Sequence, residues 1–331
     1  MQKRINDFHR KTEPFNGVCF EVIWGESNIS DFNSQSWLYH KFLEKIFINL
    51  EGMTPVSNTN FLKENDDNNL LIPKNIYVDR KNMCTLTTNG FNNLGVINII
   101  SSYESNEETD PFQISFIPVA KTKKERLNEL DQFITLLLST DKNFKAKIGL
   151  QINTNYLESE TGIPDILETM EMLDMCKPLV SIGVAIIPRI SIEMSLQDVI
   201  KIGEHKNTHA IVTSDEIHYG SMPEKIDWSK LFKKNSALLK LDNPILGKIS
   251  GTPILPLVLK QIRDIRGAGF TKHINGRGGI MSGKDVFEMY TAGANSISLD
   301  TSIILKPFEI GSIRRRAWEL FGVDDFYHNH K

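Results

Sequence analysis

The chain has 331 residues, 40% hydrophobic and 24% charged, a globular composition that can bury a large core. Its formal net charge of -3 excludes a general attraction to nucleic acid or to an anionic membrane. Three cysteines, Cys19, Cys84 and Cys176, are odd in number and far apart, with no C-x-x-C, which excludes a disulfide framework or a zinc site of the usual spacing.

The opening segment MQKRINDFHRKTEPFNG has no apolar stretch of the kind a signal peptide needs. No apolar run reaches the roughly 20 residues that span a bilayer. The expectation is a soluble, reduced, cytoplasmic protein. The basic runs KTKKER and SIRRRAWE read as solvated helix faces.

In chain order, VCFEVIW reads as a first strand, SQSWLYHKFLEKIF as its helix and INLEG as a second strand. The polar stretch NTNFLKENDDNNLLIPKNIYVDRKN then reads as an excursion or a small hairpin, and NLGVINIISSYE as the second helix. From about residue 110 the alternation is regular. FQISFIPV is a strand, and in KERLNELDQFITLLLS the residues Leu127, Leu130, Phe133, Ile134, Leu137 and Leu138 share one helical face. KIGLQIN, LVSIGVAIIP, HAIVTS, TKHIN and SISLDT follow as strands. Between them lie the helices IPDILETMEMLDMC (Pro164 in its first turn), SLQDVIKIGEH, ILPLVLKQIRDIRGAG (closed by Gly267 and Gly269) and SGKDVFEMYTAGA, and EIGSIRRRAWELF comes last. Ser195 with Asp198, and Ser282 with Asp285, form variants of the capping box.

Eight strands, each followed by a helix, predict a closed (β/α)₈ TIM barrel with an N-terminal excursion, as one domain over 1–331 with the barrel proper at about 18–321. An open doubly wound sheet is the alternative. A longer insertion, roughly 217–247, follows strand six and predicts a covering loop or short helix at the active face.

In such a barrel, ligands lie at the carboxyl ends of the strands, and a phosphate sits in the loops after strands seven and eight. Three loops point there: GKISGTP (247–253), NGRGGIMSG (275–283) and LDTSI (299–303). Their glycines let backbone N–H groups approach a phosphate. Asp215, Glu216 and His218 after strand six form an acid/base cluster at the same end, or serve as loop and cap residues. The eight histidines show no H-x-x-x-H or H-E-x-x-H, so no metal site is expected. Cys84 reads as a small buried residue.

LGKISGTPILPL, INGRGGIMSGKDVFEMYTAGANSI, LDTSI and, upstream, TTNGFNNLGV together resemble dihydroorotate dehydrogenase, an FMN-dependent α/β barrel. The resemblance runs from about Cys84 onward. It implies that Ser250, Gly251, Gly278, Gly279 and Thr301 hold the FMN phosphate, with Lys248 nearby, and that Asn92, Asn93 and Asn153 contact the substrate. It implies oxidation of dihydroorotate to orotate in pyrimidine (UMP) biosynthesis. It further implies a soluble protein acting on a small molecule without nucleic acid or membrane partners, from a branch that is often dimeric.

Several positions depart from that pattern. Asp300 replaces the glycine before Thr301, and an acidic group repels a phosphate. Either Lys248 and Arg277 offset it, or they simply pair with it. Ala185 stands where the family carries a flavin-contacting lysine. The loop after strand four lacks the family's serine or cysteine base, leaving Ser159 and Asp215 as candidates. These departures favour an alternative, a degenerate barrel that binds a small anion or a partner without redox chemistry. A phosphosugar-type enzyme using Asp215 or Glu216 as base is a third reading.

Overall fold

Short runs rich in isoleucine, valine and phenylalanine form eight parallel strands, and hydrogen bonding closes them on themselves. The structure is a computed structural model and describes residues 12–26, 52–62, 76–87, 95–104, 110–153, 166–214, 216–231 and 247–321. Strands β1 (Ile23–Glu26), β2 (Thr54–Asn60), β5 (Phe112–Phe116), β6 (Ile148–Asn153), β7 (Ala185–Ile190), β8 (Ala210–Thr213), β11 (His273–Arg277) and β12 (Ser296–Leu299) pair around a barrel in the order β1-β12-β11-β8-β7-β6-β5-β2. The barrel, not the open sheet, is the fold.

Helices α1 (Gly95–Glu104), α2 (Lys123–Ser139), α3 (Lys142–Lys145), α4 (Ile166–Met175), α5 (Lys177–Ser181), α6 (Leu196–Glu204), α7 (Leu255–Gly267), α8 (Gly283–Ala292), α9 (Thr301–Leu305) and α10 (Ile310–Phe321) accompany them. Ser195 caps α6 as expected, accepting from the Asp198 N–H. A full capping box that was not anticipated, Thr122 with Glu125, starts α2. At α8 the roles reverse. The Asp285 carboxylate accepts from the Ser282 hydroxyl and the Met281 N–H, while Ser282 makes no side-chain cap.

Four expected boundaries fail. The second barrel strand is Thr54–Asn60, beyond INLEG: its ladder to β5 shifts register between Val56 and Thr59, where Ser57 Oγ accepts from the Ser115 N–H, and its polar Thr59 meets the Ser115 hydroxyl, so it lacks a regular apolar pattern. The first strand begins only at Ile23, since Phe15, Val18 and Phe20 fold under the barrel instead. In LVSIGVAIIP the first residues belong to α5, and Gly183 at φ +98° turns the chain into β7. GKISGTP is no open loop: Lys248–Gly251 forms β10. That strand pairs antiparallel with β4 (Cys84–Thr87) and with β9 (Ile217–His218), and β3 (Ile76–Asp79) completes a four-stranded sheet. The described end of the excursion therefore enters a β3–β4 hairpin, and the described part of the insertion supplies a third strand of the same small sheet.

The lumen is filled in layers. At its N-terminal end Phe15, Phe20 and Trp24 pack with His273, whose ring stacks on Trp24 at 9° and 6.0 Å. Above them Gln151 donates to Gln113 at 2.6 Å, and Asn275 bridges the hydroxyls of Ser296 and Ser298. Outside the barrel, Arg126 is not solvated as the basic run suggested. It is buried between α2 and α4 and forks onto Glu168 with two 2.7 Å bonds.

Two predictions follow from these contacts. Glu168→Ala strands a buried guanidinium and lowers stability by about 3–5 kcal/mol, whereas the pair Arg126→Met with Glu168→Leu recovers most of it. Urea melts of the three variants check this. Burial, with Arg266 adding to it, pushes His273 down to about 3, so the unfolded chain takes up its proton first. Its contribution to stability is therefore complete above pH 6.5 and declines as pH falls from there towards 3. Between pH 8 and 5 the loss is about 1–2 kcal/mol, allowing for the part-exposed ring. His273→Phe should flatten that segment of the curve by this amount in paired denaturant titrations.

Candidate active site at the barrel mouth

Side chains at alternate positions of each barrel strand point into the lumen. On β7 these are Ala185, Ile187 and Arg189. Ala185 and Ile187 pack in the buried cluster with Phe20, Trp24 and Val212. Ala185 thus lies at the N-terminal end of its strand, and the position nearest the mouth is Arg189. Its Nη1 donates to Thr59 Oγ1 at 3.3 Å, a bond that crosses the lumen, because β7 and β2 are not neighbours. Asn153 Nδ2 reaches the same hydroxyl at 3.3 Å, and Ser115 Oγ lies 3.0 Å from it. Thr59 therefore gathers the C-terminal ends of β5, β6 and β7 into one buried polar floor.

The loops after β11 and β12, expected to hold a phosphate, form a corner of their own. A recess is lined by Gly278, Gly279, Ile280, Ser298, Asp300, Thr301 and Ser302. The buried Ser302 hydroxyl on its wall has no hydrogen-bond partner among the described residues. Gly279 holds φ +77°, and a Cβ there would come within 2.7 Å of Leu255 Cβ, so a glycine is needed for the loop to pack on α7. Thr301 and Ser250 meet through their hydroxyls at 2.9 Å, and Ser250 also meets Thr85 at 2.7 Å. Gly278, Gly279, Ser250, Gly251 and Thr301 are thus neighbours. Gly251, however, is committed to strand pairing: at φ +109° a Cβ would sit 2.8 Å from Cys84 Cα.

Asp300 pairs with Arg277, not with Lys248. The Arg277 Nη2 to Asp300 Oδ2 distance is 3.3 Å, and Arg277 is buried. Lys248, expected beside the phosphate, lies 3.5 Å from Glu216 Oε2, with a side chain only 2% exposed. The recess itself is a cavity of about 10 Å³, room for one water. Asp300, one of its lining residues, carries the ion pair with Arg277.

A second acid/base group stands on the small sheet. Lys248, Thr87 and His218 are in register and so share one sheet face with Ser250. His218 Nδ1 lies 2.8 Å from Glu193 Oε2. Glu193 follows β7, and no sequence pattern pointed to it. Burial pushes its carboxyl up, but hydrogen bonds from His218 and Ser221 and the charges of His218 and Lys248 outweigh this and hold it below the usual range. Burial, with Asp79 adding to it, pushes Cys84 up to about 12, which keeps it a thiol and no nucleophile. Asn92, Asn93, Ser159 and Asp215 lie outside the described residues. Among the described residues no cluster of metal-ligating side chains forms, and no helix is long and apolar enough to cross a membrane.

A family model described as dihydroorotate dehydrogenase matches residues 73–313. The chain belongs to the dihydroorotate dehydrogenase family. The match spans the small sheet, the barrel strands from β5 onward and the corner. Among solved structures, a ligand-free DHODH from Eimeria tenella superposes with a TM-score of 0.69 at 14% identity, covering 98% of this chain and 92% of that one. A DHODH from Eimeria tenella in complex with ferulenol gives 0.66 at 13%, covering 97% and 86%. At this identity the likeness is one of fold.

Asp300→Gly removes the carboxylate facing the recess and turns Arg277 towards an entering anion. At about 4 Å and an effective dielectric near 20 a like charge costs about 4 kcal/mol before screening, so phosphate-bearing ligands should bind at least about tenfold tighter. Calorimetric titration of both proteins with FMN and with inorganic phosphate measures the ratio.

Proposed function

We propose that this family member is a cytoplasmic FMN-dependent oxidoreductase that converts dihydroorotate to orotate for pyrimidine biosynthesis. The observation that carries the reading is the recess between the loops after β11 and β12. It combines backbone from Gly278, Gly279 and Thr301 with the unsatisfied Ser302 hydroxyl, a donor set that suits a phosphate monoester. Family members generally bind FMN, and the match covers this corner.

Gly278, Gly279, Thr301 and Ser302 would hold the phosphate, and Arg277 offsets Asp300. Bound FMN supplies a hydride acceptor that no amino-acid side chain provides. The chain's own residues do the rest. Arg189 brings a buried cation to the mouth on the strand where Ala185 offers none, four residues nearer the open end, and so supports negative charge developing above it. Asn153 presents an amide to the polar edge of a substrate from β6.

One observation favours a second reading. The recess holds only about 10 Å³ and has the Asp300 carboxylate in its lining, as a degenerate barrel that has lost its redox chemistry would have it. A visible spectrum of the purified protein, with flavin released by denaturation, separates the two. A stoichiometric FMN band that bleaches on addition of dihydroorotate is the expected result. A colourless protein that fails to take up added FMN would replace this reading with the second.

A further inference from the structure

Strand β2 breaks its own alternation at one point. Val56 faces the lumen, packed in the cluster of Phe20, Trp24, Ala185 and Ile187. In a regular strand Asn58 would be the next inward residue, and Thr59 would point out. The ladder to β5 shifts instead. Val56 pairs with Gln113 and Thr59 with Ser115, a step of three residues on β2 against two on β5. Such a bulge re-aims the side chains that follow it. Within the shift the Ser115 N–H donates to Ser57 Oγ at 2.9 Å, so a buried donor stays paired. Thr59 thereby enters the lumen on the layer of Ser115, Asn153 and Arg189.

A hydroxyl carries one hydrogen and two lone pairs. Asn153 Nδ2 and Arg189 Nη1 each donate to Thr59 Oγ1 at 3.3 Å and occupy both lone pairs. The hydroxyl hydrogen is left for Ser115 Oγ, at 3.0 Å. The oxygen is thus used to capacity, by partners from β5, β6 and β7. Thr59, Asn153 and Arg189 are all buried, where a hydrogen bond is stronger than in water. Arg189 is the long side chain of the three. A guanidinium acts on a ligand at the mouth through its charge, so its effect depends on where that charge is held.

We propose that Thr59 is the positioning residue of the barrel mouth: its hydroxyl fixes where Arg189 holds its charge and which way Asn153 presents its amide, and the β2 bulge is what brings it there. The proposal rests on the substrate reading above and adds the residue through which β6 and β7 act together. Thr59 works through its two partners. Valine has the shape of threonine without the hydroxyl, so Thr59→Val removes the anchor of both partners with little change of packing, and Thr59→Ser keeps it. The two consequences separate. A displaced Arg189 supports developing charge less well, which lowers kcat, whereas a turned Asn153 weakens substrate binding, which raises KM.

The test compares wild type, Thr59→Val and Thr59→Ser, each shown folded by circular dichroism. Thr59→Cys, a poor acceptor of similar size, replaces Thr59→Val if that variant does not fold. Orotate affinity is measured by calorimetry on the protein as purified and after FMN loading, together with dihydroorotate oxidation and the midpoint potential of the bound flavin. Thr59→Val should bind orotate about tenfold more weakly and lose about 10–100-fold in kcat. Its midpoint potential should fall, a tenfold weaker hold on the reduced form reading as about 30 mV. Thr59→Ser should stay within about threefold of wild type in affinity and rate. A Thr59→Val protein that keeps its potential and its orotate affinity while losing only thermal stability would overturn the proposal, as would a Thr59→Ser protein that falls as far as Thr59→Val. A colourless wild type whose orotate affinity drops in Thr59→Val and returns in Thr59→Ser would sustain the positioning role while removing the flavin reading. A colourless wild type that binds no orotate would remove both.

Discussion

A parallel sheet that closes on itself satisfies its own backbone but encloses a lumen, and every other feature of this protein depends on how that lumen is filled. An empty lumen would lose dispersion contacts along all eight strands, and an ill-partnered polar one would carry desolvation costs of about 1–3 kcal/mol per group. The chain solves the two ends differently. The N-terminal end takes an aromatic plug from residues just before β1, with His273 stacked on Trp24 and hydrogen-bonded to Ser296 at 2.7 Å. The C-terminal end takes hydroxyls, amides and arginines, tied together through Thr59. The first makes a rigid base, and the second leaves polar groups where a ligand can reach them.

The small antiparallel sheet gives the mouth its shape. β10 links three functions through three successive positions. Lys248 is tied to Glu216, Ile249 is buried in the core, and Ser250 connects the hairpin at Thr85 to the corner at Thr301. Because Gly251 must approach Cys84 closely, the strand cannot drift without moving the corner. The same pairing places His218 beside Lys248, and so puts the Glu193–His218 pair and Ser250 on one small sheet.

The corner also shows how one charge changes a site without changing its backbone. Asp300 adopts φ -145° and ψ -88° and precedes the short helix α9 without capping it. Its carboxylate goes to Arg277 instead. Both residues stand at strand ends, and Gly278 and Gly279 after Arg277 keep the loop geometry, so the recess survives in outline while an ion pair stands beside it. Arg189 is a parallel case on β7, where a cation sits near the mouth and not at Ala185.

The barrel itself was legible in the sequence, because period-two apolar runs alternating with amphipathic windows are imposed by a sheet buried under helices. The capping of α6 by Ser195 was legible for the same local reason, whereas Arg189, the cation nearest the mouth on β7, was not singled out. The family followed from the glycine-bearing loops, whose backbone demands are written in a few residues. The sequence did not reveal that 248–251 is a strand, since its partners lie about 30 and 160 residues away. Nor did it show that Arg277 takes Asp300 while Lys248 takes Glu216, or that Arg126 is buried on Glu168, because charges choose partners by distance in space. The Glu193–His218 pair is of that kind too. Local sequence fixes which segments become strands and helices, while only the closed barrel and its covering sheet decide which side chains meet, because those meetings depend on contacts distant in the chain.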